Sequence, residues 1–480
     1  MTSEAPHAGL TASTVAAVRS TTAGARESLR RLAGLLSWSA PGRGAFGNVI
    51  PEGAKVVVKP NLVLHENQGA GGMESLVTDP GLIAAVAEEA LLSGATSVVV
   101  GDAPIQGCDF PVLLEKTGLG DWASELARRE SRFTGVLDFR RTTCTFVDGV
   151  RVATEELQPQ DRFVMFDLGR ESLLESVTDD RGIGRFRVTC YDPRLMRQTH
   201  AQGRHRYLVA RELMEADVVI NLPKLKTHKK AGITCALKNL VGINGNKEFL
   251  PHHRAGSAER GGDCYEHASL VRRSIEYALD RQNMTSSSLE ARALHKVTRH
   301  LHRTARFLGQ ESDTEGSWWG NDTVWRMCLD LNRILLYGGT DASLAEALRR
   351  RVVHVVDGVV AGHGNGPLAP DRLDLGLVVG GGNAAAVDWA CAQLLGYDPR
   401  RISLTREAFG AFRWPLTAFE PDDIDVDGDL GDGDAADVLA RAAAAVRIEH
   451  PHGWRTAALN RQATAAVREA PPAPLETIPE

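Results

Sequence analysis

Lys224, Lys226, His228 and Lys238 lie close together in the stretch 217–254, with Asn221 just before them and Asn239 just after. Lysines at this density can neutralise a carboxylate or a phosphate. A histidine beside them can move a proton, because its ordinary pKa lies nearest neutrality. A run of lysines is often a solvated surface. Here the run is interleaved with Leu225, Ile233, Ala236, Leu237, Leu240 and Val241, which need burial, and Lys238 falls inside that apolar stretch. A buried lysine needs a partner, so a ligand-facing role is expected for Lys226, His228 and Lys238.

The elements that would position these groups are short and apolar. Val218, Val219 and Ile220 run up to Asn221-Leu222-Pro223, which predicts a buried strand whose chain leaves the sheet at Pro223. The stretch 55–59 repeats the pattern and ends at Pro60-Asn61. Asp79 followed by Pro80 is a strong helix start, and Ser93-Gly94 a good stop. A strand over 96–100 then ends at Gly101-Asp102. Strand, helix, strand at this spacing is a right-handed βαβ unit. Further strands are expected over 352–356, ending at Asp357, and over 373–379. A flexible Gly-rich loop, 362–367, separates them and contains Asn365. Gly380-Gly381-Gly382 with Asn383 as helix cap is read either as an anion-binding turn or as tight strand–helix packing.

Elsewhere helices are expected over 26–38, 110–117 and 204–214, and strands over 163–167 and 186–190. The stretch 267–350 reads as mostly helical. Its basic run with His295, His300 and His302 is expected to be a solvated or partner-facing surface. Residues 318–332 are expected to form a helix beside the site, capped by Asn321-Asp322-Thr323. The predicted fold class is α/β: a mostly parallel open sheet with helices on both faces, plus a helical insertion at about 267–350. The predicted divisions are an N-terminal extension (1–50, frayed over 1–25), an α/β core (51–410) built from two discontinuous pieces, and a tail (411–480) that is acidic and then partly disordered.

Composition excludes several classes of function. The chain has 480 residues, 43% hydrophobic and 24% charged, with a net charge of -6. That is ordinary globular composition, without the basic field that nucleic acid would require. No apolar run approaches membrane-spanning length, and the first residues do not form a secretory signal. The seven cysteines include no C-x-x-C, so there is no intrinsic iron–sulfur motif, and free thiols suit a cytoplasmic location. In the tail, Asp423, Asp425, Asp427, Gly428 and Asp434 follow most of a calcium-loop template. Pro421 interrupts the incoming helix such a loop needs. An edge strand over 424–426 with an acidic turn is therefore expected, and calcium binding at 423–434 stays open.

One family unites these blocks. Val58-Lys59-Pro60-Asn61, Thr78-Asp79-Pro80 and Gly101-Asp102 come first. The blocks 216–228, Leu237-Lys238-Asn239-Leu240, Asp357-Gly358, Gly364-Asn365-Gly366-Pro367 and Ala386-Val387-Asp388 follow. Together they resemble the bacterial and archaeal domain-of-unknown-function family 362, without the ferredoxin cassette that many members carry. The resemblance implies a fold class and a site, and not a reaction.

The function expected is that of an uncharacterised enzyme acting on a small anionic metabolite, carboxylate or phosphate. Its chemistry would be acid/base or metal-assisted, at the strand ends. His228, Lys226, Lys238 and Asp102 are the catalytic candidates. Lys59, Asn61, Asn221, Lys224, Asn239 and Asn365 are the substrate-binding candidates. A divalent metal would fall to Asp102, His228 and Asp357. The alternatives are a redox protein using a bound metal or a partner-supplied iron–sulfur cluster, and a non-catalytic ligand-binding protein. The expected partner is the anionic small molecule, with neither nucleic acid nor membrane, and the oligomeric state is left open.

Overall fold

A single ten-stranded sheet gathers strands from almost the whole length of the chain. The structure, a computed structural model, describes residues 8–178, 184–309, 314–428 and 435–455. In chain order the strands are β1 (Thr14–Arg19), β2 (Lys55–Pro60), β3 (Ser97–Asp102), β4 (Phe133–Asp138) and β5 (Val218–Leu222). Then come β6 (Lys224–His228), β7 (Gly232–Thr234), β8 (Arg351–Asn365), β9 (Ala369–Gly381) and β10 (Asp425–Gly428). The order across the sheet is β10-β1-β9-β8-β5-β2-β3-β4, with β6 paired to β8 and β7 to β6. Within this sheet only β7 and β9 run against the other strands. The sheet is therefore mostly parallel, and β8 from the second half of the chain pairs directly with β5 from the first.

Parallel strands need both faces covered. Val56, Val58, Val98, Val100 and Ile220 point to one face, against helices α1 (Ala25–Leu35) and α2 (Pro80–Leu92). Val57, Val99, Val219 and Val352 point to the other, where α6 (Val324–Tyr337) and α7 (Ala384–Leu394) pack. Between them in sequence lie a short α3 (Ala236–Asn239) and a helical hairpin, α4 (Leu270–Met284) and α5 (Ser288–Phe307). The predicted caps are present. Asp79 accepts from Leu82 N at 2.9 Å, and Asn383 accepts from Ala385 N at 2.9 Å. No helix among the described residues is long and apolar enough to cross a membrane.

Several expectations are corrected. Residues 14–19 are not part of a frayed terminus: they form a strand one place in from the edge of the sheet, between β9 and β10. The chain does not leave the sheet at Pro223. It resumes as β6 against the far half of β8, pairing Lys224 with Asp357 and Lys226 with Gly362. The Gly-rich stretch 362–367 is not a free loop, because β8 runs through it to Asn365 and turns at the cis Gly366-Pro367 bond into β9. The helix expected over 204–214 is mostly strand, Arg204–Ala210, paired with Phe163–Asp167, and only Arg211–Glu215 is helical. The strand at 186–190 is limited to Phe186–Arg187. In the tail, β10 pairs parallel to β1. The second half of the acidic template, Asp434 included, lies outside the described residues, as does the end of the tail.

Candidate functional site

In a parallel sheet, ligands meet the carboxyl ends of the strands. Here β2 ends at Pro60, β3 at Asp102, β5 at Leu222 and β6 at His228. Asn239 ties these ends together. Its Nδ2 donates to Lys59 O at 3.1 Å and to Asn221 Oδ1 at 2.8 Å. Its Oδ1 accepts from Asn61 Nδ2 at 3.0 Å. Asn221 in turn donates to Ala236 O at 2.9 Å and meets His354 Nδ1 at 3.1 Å. Asn221 and Asn239 therefore lock α3 onto the sheet.

Two of the lysines are braces. Lys59 is fully buried, and its ammonium is 2.7 Å from Asp102 Oδ1 and donates to Pro60 O at 2.8 Å. Asp102 also accepts from Leu62 N at 2.6 Å. The pair is sealed by Gly242, whose backbone packs directly on it. A Cβ there would collide with Asp102 Oδ1 and lie 2.7 Å from Lys59 Nζ. Lys224 pairs with Asp357 and donates to Val360 O at 2.9 Å. Asp357 also accepts from Asp79 N at 2.7 Å, at the head of α2. Asp102 and Asp357 are thus occupied by lysines and do not converge with His228 on a metal. Among the described residues no three His, Cys, Asp or Glu side chains group as a metal site. Asn365 is exposed at the hairpin tip, away from the buried asparagines, because β8 carries it past β6.

Lys226 and His228 alternate on the same side of β6 and keep spare chemistry. Lys226 is fully buried, yet among the described residues its ammonium meets only neutral acceptors, Asn61 Oδ1 at 3.1 Å and Leu76 O at 2.6 Å. Burial first, then Lys224 and Lys238, hold its pKa well below the ordinary lysine value. The Nδ1 of His228 accepts from the backbone N–H groups of Lys230 and Ala231, at 3.0 and 3.2 Å. Those two donors fix the tautomer of the neutral ring, with its hydrogen on Nε2. Burial and then Lys238 pull its pKa well below the ordinary value. Its ring is therefore neutral at physiological pH, with Nε2–H as a donor.

Lys238 stands at the centre. It is buried and has no hydrogen-bonding or ion-pair partner among the described residues. Burial lowers its pKa, and Lys230 and Lys59 lower it further. The field of Lys238 also depresses His228, His252 and Lys247. Lys247 is lowered to about 8, chiefly by loss of water. Sequence reasoning did not single out Lys247, His252 and His253. They lie inside the same stretch, but in irregular chain after α3, where no periodicity marks them. Helix α6 closes the site from one side. Asn332 donates to Leu237 O at 3.0 Å, and Arg326 pairs with Asp322 at 3.0 Å. Asn321 caps this helix, accepting from Thr323 N and Val324 N.

Residues 170–393 match the family model described as "Domain of unknown function (DUF362)". This stretch of the chain is a DUF362 domain. All the unpaired cations just described lie within the DUF362 domain, whereas Lys59, Asn61 and Asp102 come from the chain before it. A thylakoid-associated protein of Synechocystis sp. is 27% identical over 222 residues, covering 46% of this chain and 49% of that protein. The chain thus spans about half the length of this curated relative. A crystal structure of a Thermotoga maritima protein aligns over 77% of this chain and 58% of its own, at 12% identity and a TM-score of 0.30.

Proposed function

We propose that this protein is an enzyme that takes a small anionic metabolite, a carboxylate or a phosphate, against Lys226, His228 and Lys238. The observation that carries the proposal is Lys238: a buried lysine among other cations, with no carboxylate partner among the described residues. Such a cluster repels itself until an anion enters it. Lys226 and Lys238 would hold the anion's charge. His228 would donate from Nε2 to the oxygen on which charge develops. Lys238, protonated as the anion enters, would give a proton to the substrate and take it back. The seven free thiols suit a reducing compartment, and we place the protein in the cytoplasm.

The test is a thermal-shift screen of small carboxylates and phosphates on the purified chain, followed by turnover assays on the hits. At least one anion should raise Tm, and Lys238→Met should remove that shift while leaving the ligand-free protein as stable or more so. His228→Ala should lower kcat more than it raises KM. Equal shifts in the Lys238→Met protein would reject the site.

A further inference from the structure

The hairpin of α4 and α5 does not close onto the strand at Phe186–Arg187. Between them lies a cavity of about 470 Å³, within the range of pockets that hold small molecules. On its walls His253 Nδ1, Gln282 Oε1, Thr298 Oγ1 and Thr314 Oγ1 have no hydrogen-bond partner among the described residues. His253, Thr298 and Thr314 are more than nine-tenths buried, at 5%, 4% and 2% exposure. A fold seldom leaves so many polar atoms dry and unmatched around one space unless something else completes them.

The charges on the walls are unequally engaged. Asp280 holds Arg187 at 2.9 Å. Glu276 accepts from Tyr265 Oη at 2.8 Å and Gly256 N at 2.7 Å. Glu315 faces Lys230 at 3.8 Å. By contrast His295, Arg299, His302 and Arg306 recur along one face of α5, all on the cavity wall, and no carboxylate among the described residues pairs with them. Arg299 and Arg306 are separated by about 10 Å along the helix axis. One carboxylate cannot reach both, but a chain of phosphates can.

We propose that this cavity binds a nucleoside polyphosphate. Its phosphates lie along α5 against Arg299 and Arg306. Its hydrogen-bonding body fills the interior against Thr298, Thr314, Gln282 and His253. Lys230 meets two residues of the cavity wall, Thr189 Oγ1 at 3.3 Å and Glu315 at 3.8 Å, while its backbone N–H donates to His228 in the lysine cluster. The two sites are read from different residues, so this proposal holds whether or not the cluster is catalytic.

Calorimetric titration of the full chain with ATP, tripolyphosphate and adenosine tests it. ATP should saturate one site and bind several-fold tighter than tripolyphosphate, with adenosine weakest. Arg299→Glu with Arg306→Glu should weaken ATP at least tenfold. Lys296→Glu with Arg303→Glu makes the same change of charge on exposed residues of α5 off the cavity wall, and should stay within twofold. Thr298→Val, nearly unchanged in shape, should weaken ATP several-fold and leave tripolyphosphate unaffected. No saturable ATP binding, or equal losses in the two double variants, overturns the proposal. So does equal affinity for ATP and tripolyphosphate.

Discussion

At the residue scale, the lysines divide by partner. Lys59 and Lys224 are matched by Asp102 and Asp357, while Lys226 and Lys238 have no carboxylate partner among the described residues. Removing one partner of a buried pair leaves a bare charge and costs about 3–5 kcal/mol. Asp102→Asn should therefore lower the urea midpoint strongly, and adding Lys59→Met should recover much of the loss. An Asp102→Asn protein as stable as the parent would show that the pair is not a brace. Lys238 predicts the opposite kind of behaviour. Its pKa is depressed in the free protein, and a bound anion favours the charged form and raises it. Binding must then take up protons, and affinity must fall as pH rises through the raised pKa of the complex. Calorimetry of an anion identified in the screen, in buffers of different ionisation enthalpy, should report net proton uptake that Lys238→Met abolishes.

At the element scale, the site depends on how closely backbone segments approach. Thr78, before α2, accepts from Asn61 N and donates to Leu222 O, both at 2.8 Å, joining the ends of β2 and β5. Gly362 lets β8 approach β6, since a Cβ there would stand 2.8 Å from Lys226 Cβ. Gly242→Ala should force the Lys59–Asp102 pair apart, with an overpacking loss of about 1–3 kcal/mol visible in the denaturation midpoint. An unchanged midpoint would mean that the loop yields freely. Most of these elements were legible because β-branched runs ending in Pro, Asn or Asp carry their own signal, as at 55–60 and 218–222. Strand β1 was not. Val15-Ala16-Ala17-Val18 is buried on both faces, so it lacks polar alternation, and alanine is a poor strand marker. Strand Arg204–Ala210 was missed although His205, Tyr207 and Val209 alternate inward, because the run passes without a break into the helix Arg211–Glu215. In the site, residue type pointed to the lysines. Nothing in the sequence could say which of them would meet a carboxylate, since Asp102 and Asp357 reach them only through the sheet register.

At the scale of the whole molecule, buried titratable groups set the response to pH. Burial lowers His200 and His354 to about 3 and His450 to about 4. Each stays neutral in the fold where the unfolded chain would protonate it near pH 6.5. Their stabilising contribution is therefore full above that pH and is lost as pH falls towards the folded values. From pH 7 to 5 each gives up about 2 kcal/mol. Asp388 works the other way. Burial raises its carboxyl to about 7, so the fold keeps a proton that the unfolded chain releases near pH 4. Its contribution is full in acid and is lost as pH rises through 7, so it returns about 2 kcal/mol over the same interval. His228, His252 and His253, also held well below the ordinary value by burial, act in the same direction as those three histidines, so stability should fall from pH 7 to 5, measurable as a fall in the urea midpoint. Asp388→Asn removes an opposing group and should deepen that fall by about 2 kcal/mol, whereas His354→Asn should lessen it by a similar amount. If the two variants shift the pH dependence in the same direction, these groups do not govern it.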